Sequence, residues 1–122
     1  MKAKQDMSKL TSEQRKRFAG AIERVGDDEE ILIVLAEMAS EDAPVLMAKL
    51  EGEISKGFLD AAAQTAHALK GLLSTFETGE PVEGLQSLID SAREEDEKET
   101  TLLFESLKPK LLTLVEQVAQ LS

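Results

Sequence analysis

The stretch Gly57–Phe76, GFLDAAAQTAHALKGLLSTF, decides the fold. Leu59, Ala62, Ala66, Leu69, Leu73 and Phe76 recur at alternating spacings of three and four, which lines them up on one face of a helix. Strict alternation, the mark of a half-buried strand, is absent. The same period continues in both directions. After ETGEP (77–81), where Gly79 suits a left-handed cap and Pro81 a first helical turn, Val82, Leu85, Leu88, Ile89 and Ala92 point one way. The charge run REEDEKET (93–100) reads as a solvated turn and the acidic opening of a last helix. That helix carries Phe104, Leu107, Leu111, Leu114, Val118 and Leu121 inward, with Pro109 expected to bend it.

Upstream, Asp27, Asp28, Glu29 and Glu30 complement the positive end of a helix dipole. ILIVLAEMA (31–39) could by itself be a buried strand, but it runs on through PVLMAKLEGEI (44–54), too long for one. Pro44 predicts a kink, or a restart after Ser40–Asp42. Thr11 and Gln14 form a capping box ahead of Phe18, Ala21, Ile22 and Val25, a first helix over residues 12–25 closed by Gly26. The expected fold is therefore all-α: an up-and-down four-helix bundle over 27–121 with an additional N-terminal helix at 12–25 and an extension over about 1–10. All 122 residues are read as one domain.

Composition narrows the function. The formal net charge of −10 repels phosphate backbones, and four phenylalanines without Trp or Tyr offer little for base stacking, so no nucleic-acid partner is expected. Arg15-Lys16-Arg17 is the one feature pointing the other way, and it reads as the wet side of a helix. No apolar run approaches the ~20 residues that span a membrane, and no apolar core follows the basic start as in a secretory signal. Cysteine is absent, which removes disulfides and thiolate chemistry and makes the cytoplasm the default compartment. An acidic surface should also limit self-association, so a monomer is expected.

The only histidine, His67, lies in the deciding stretch. At about 100° of rotation per residue it falls roughly 140° from the centre of the apolar stripe, facing water. Around it stand Ala63 and Gln64 one turn back, Lys70 and Gly71 one turn on, and Ser74 two turns on. A free solvent face would normally carry long charged side chains. Gly71 inside a helix costs about 1 kcal/mol relative to Ala, which the close approach of another molecule would explain.

A convex helix face offers a general base neither a pocket nor an orienting partner. One histidine without cysteine makes a poor transition-metal site, and Gln64 stands where a Glu-x-x-His pattern would need Glu. Nucleophilic phosphoryl transfer fits better. A neutral imidazole can attack a phosphoryl group on a partner, a lysine one turn along offers charge to its oxygens, and small neighbours admit the partner. No glycine-rich phosphate loop is present, and a carrier needs none.

AHALKG (66–71) resembles the His-x-x-Lys-Gly phosphorylation motif of histidine-containing phosphotransfer (HPt) domains. The layout from Gly26 to Arg93, including a proline partway along the preceding helical segment, is similar to that family's approach to its histidine. The resemblance implies a phosphocarrier of two-component signalling rather than an enzyme. His67 would accept phosphate from the aspartate of a receiver domain, in a response regulator or hybrid histidine kinase, and pass it to another. Lys70 would steady the phosphoryl oxygens, while Gly71 would keep the surface clear and Gln64 and Ser74 would border the docking patch. The chain would need no cofactor, the Mg2+ belonging to the receiver. Two positions depart from the family pattern. Leu72 stands where Ser or Ala is usual, and is expected to pack. Glu77 stands where a second glycine is usual, and a helix running through it to a stop at Gly79 would bring a carboxylate near the bundle. Two other readings of the same residues are a docking module that binds receivers without accepting phosphate and a structural bundle with an incidental histidine.

Overall fold

The computed structural model describes residues 10–122; apart from Leu10, the extension expected over 1–10 lies outside them. Among the described residues there are six α-helices and no strand: α1 (Ser12–Arg17), α2 (Ala19–Arg24), α3 (Glu29–Ser55), α4 (Leu59–Leu73), α5 (Gly84–Arg93) and α6 (Glu97–Ala119). The chain is all-α. Helix α3 packs on α4, α4 on α5, α5 on α6, and α6 returns to α3. No helix among the described residues is long and apolar enough to cross a membrane.

The apolar stripes fill the space between these helices. Every one of the six stripe residues from Leu59 to Phe76 is buried, as are Val82, Leu85, Leu88, Ile89 and Ala92 of the next segment and the six from Phe104 to Leu121. Helix α3 contributes Leu32, Ala36, Ala39, Ala43, Met47, Leu50 and Ile54. This row spans Pro44 without a break, and α3 is one helix rather than two. Pro44 removes one hydrogen bond and costs about 3 kcal/mol. Burying Ala43, Met47 and Leu50 beyond any restart point outweighs that, at about 1.5–3 kcal/mol for each large side chain. Pro109 likewise lies inside an unbroken α6.

Helix ends follow local chemistry. The Asp28 carboxylate caps α3 by accepting from the backbone N–H groups of Glu30 and Ile31, and Asp96 caps α6 by accepting from Glu99. Between α3 and α4, Gly57 adopts φ +77°, a left-handed conformation that favours glycine. Within the 93–100 charge run Thr100 is fully buried, its hydroxyl donating to the Asp96 carbonyl and paired with Ser91 Oγ at 2.8 Å.

The N-terminal region departs from a single helix over 12–25. The capping box of Thr11 and Gln14 is formed, but the helix breaks at Phe18 into α1 and α2. Phe18 is buried and meets Phe76 edge to face, with ring centroids 6.5 Å apart. Arg17 pairs with Glu77 at 3.0 Å, both Arg24 nitrogens Nε and Nη2 donate to the Thr75 carbonyl, and Arg15 pairs with Glu29. Arg15 and Arg17 of the basic run are thus engaged within the chain: Arg15 ties α1 to the start of α3, while Arg17 and Arg24 tie α1 and α2 to the segment after α4.

That segment corrects two expectations. Helix α4 stops at Leu73, before Glu77 rather than at Gly79, and Gly79 is not left-handed; the left-handed glycines are Gly26 and Gly57. Pro81 lies in the turn ahead of α5, which starts at Gly84. Glu77 organises the turn that follows. One carboxylate oxygen accepts from the Gly79 backbone N–H at 2.9 Å and the other from Arg17 at 3.0 Å. The Gly79 hydrogen bond, with Arg17 and Arg24 nearby, holds its carboxyl below the usual glutamate range despite partial burial. Leu72 is half-buried against the core.

Candidate functional site

Helix α4 positions the candidate site by burying its other face. With Ala62, Ala66, Leu69 and Leu73 turned inward, the helical rotation leaves His67 outside, and it is exposed. Gln64, Ala68 and Gly71 are exposed on the same side. A Cβ added at Gly71 would meet no atom within 4 Å, so nothing inside the chain requires glycine there. The imidazole sits in a collar of small and neutral side chains.

Lys70 is half-buried on the flank facing α5, and its Nζ donates to Gln86 Oε1 of that helix at 2.7 Å. Lys70 stands three residues after His67, so the two are neighbours one turn apart on the surface of α4. Gln86 Nε2 in turn donates to Asp90 Oδ1 at 2.9 Å. The Ser74 hydroxyl points back along α4, donating to the Lys70 carbonyl, so Ser74 borders the face rather than presenting its oxygen to it.

Ala63 does not belong to the exposed face: it is 3% exposed and part of the core. It lies two turns before Lys70 on the same flank, the flank that α5 covers. The structure thus brings His67, Lys70, Gln64 and Gly71 together on one side, with Ser74 at its edge and Ala63 beneath.

A second exposed feature lies on α3. Ile31, Val34, Met38 and Val45 of α3 are between 47% and 65% exposed. Their spacings of three, four and seven put them on one outer stripe, which Lys49 continues four residues beyond Val45. Lys49 Nζ reaches Thr65 Oγ1 of α4 at 3.3 Å, two residues before His67. Thr65 is buried while His67 is exposed, and residues two apart on a helix do not share a face, so this contact lies on the flank of α4 away from the histidine. The stripe's signal was present in the sequence, since ILIVLAEMA and PVLMAKL hold more apolar residues than one helix face can bury. Gln86 left no such signal, because its tie to Lys70 joins residues 16 apart on different helices.

Comparison with protein-family models, curated proteins and solved structures finds no match for the chain.

Proposed function

We propose that this chain is a cytoplasmic phosphocarrier of a His–Asp phosphorelay, with α3–α6 forming an up-and-down four-helix bundle of the HPt kind and α1–α2 closing one end. The observation that carries the reading is an exposed imidazole in a small-residue collar with an ammonium group one turn on. The His-x-x-Lys-Gly likeness adds to it.

In this reading a receiver's phosphoaspartate descends onto α4 between Gln64 and Gly71. The lone pair of one His67 nitrogen forms an N–P bond as the acyl-phosphate P–O bond breaks, and the electron pair leaves with the aspartate carboxylate. Lys70 offers its remaining protons to the phosphoryl oxygens. The exposed apolar stripe of α3 would be a separate surface from the one a receiver meets at His67. Transfer onward is the reverse step toward a second receiver, and the Mg2+ that shields the aspartate site belongs to that partner.

Incubation with a panel of phosphorylated receiver domains tests this. Acid-labile, alkali-stable phosphate is expected on the wild-type chain and none on His67→Gln. Release of receiver phosphate only to water across the panel, with complexes still forming, would make the chain a docking module instead.

A further inference from the structure

We propose that Gln86 is a positioning residue for phosphoryl transfer: it holds the Lys70 ammonium beside His67 without cancelling its charge. The inference rests on the phosphocarrier reading. Its geometric basis is the chain Lys70 Nζ to Gln86 Oε1 at 2.7 Å and Gln86 Nε2 to Asp90 Oδ1 at 2.9 Å.

The two partners dictate which way the amide faces. An ammonium only donates and a carboxylate only accepts, so the flipped amide would lose both hydrogen bonds. Asp90 thereby fixes the glutamine, and the glutamine carbonyl fixes the lysine. A free lysine samples many rotamers, most of them away from the turn that holds His67. One proton of the ammonium is committed to Gln86, and two remain for an anion. A carboxylate in place of the amide would tether equally well, but it would neutralise the lysine and repel a phosphoryl group. A neutral acceptor meets both needs. Lys49 lies at the α3–α4 seam, on the other side of α4 from Lys70, and is already paired with Glu53 at 3.3 Å.

Potassium phosphoramidate provides a test that needs no cognate partner. His67 attacks its phosphorus, the donor N–P bond breaks and ammonia leaves, so the rate of N-phosphorylation can be followed by 31P NMR. Gln86→Ala is expected to slow loading roughly fivefold, the scale of immobilising one long side chain. Gln86→Glu should slow it to the level of Lys70→Ala. In a Lys70→Ala background, Gln86→Ala should change nothing further. Helical content by circular dichroism checks that each variant is folded. Wild-type rates in both Gln86→Ala and Gln86→Glu would overturn the assignment, as would a Gln86→Ala effect that persists without Lys70. Phosphorylated receivers separate the two claims. Delivery from receivers with no dependence on Gln86 would sink the positioning role alone. Gln86-dependent loading by phosphoramidate with no delivery from any receiver would sink the phosphocarrier reading and leave the positioning intact.

Discussion

Gly71 and Glu77 show how single residues separate folding from function. Gly71 occupies open space in the last turn of α4, as does Gly52 in the last turn of α3. Replacing either with Ala is expected to raise stability by about 0.5–1 kcal/mol in urea unfolding, since only helix propensity changes. Function should part from stability when the side chain grows: Gly71→Gln would still fold but would slow phosphate delivery from a receiver far more than Gly71→Ala. Glu77 carries the opposite kind of information. Its folded-state pKa is depressed, first by the Gly79 N–H and then by Arg17, so its contribution is present above the ordinary glutamate range and fades as pH falls through the depressed value. Glu77→Gln should therefore cost roughly 1 kcal/mol near neutrality, allowing for solvent screening of the partly exposed Arg17 pair. That difference should vanish in acid, which chemical unfolding measured across pH would reveal.

At the scale of elements, the long helices were legible because apolar spacing and burial carry the same information. The stripes of α4, α5 and α6 are buried residue for residue as the sequence reading placed them. What was not legible depended on contacts between distant segments. Pro44 looked like a boundary because its local penalty is visible in sequence, whereas the core that spans it is not. The single helix over 12–25 breaks at Phe18, whose ring is buried against Phe76. Helix α4 ends at Leu73 rather than Gly79, and in the turn that follows Glu77 is held by Arg17 from 60 residues upstream. This clamp can be tested alone. Phe18→Ala removes its buried anchor, a loss of about 3 kcal/mol. Hydrogen exchange of residues 12–24 should accelerate strongly while α3 and α4 stay protected; equal acceleration throughout would mean that α1 and α2 fold as one unit with the rest.

For the whole molecule, the candidate site was half legible. Helical rotation alone placed His67 outside and gathered Gln64, Lys70 and Gly71 around it. It misplaced Ala63, because a wheel drawn for one helix does not show which flank a neighbour covers. It also missed Gln86 for the same reason. The proposal that this surface carries phosphate from one aspartate to another is tested most directly by 31P NMR of a two-receiver mixture. With a phosphorylated receiver added first and an unphosphorylated one second, the acyl-phosphate signal should give way to an N–P signal, absent in His67→Gln, which then declines as acyl phosphate forms on the second receiver. Phosphate that passes only to water, with no N–P signal at any time across a panel of receiver pairs, would contradict it.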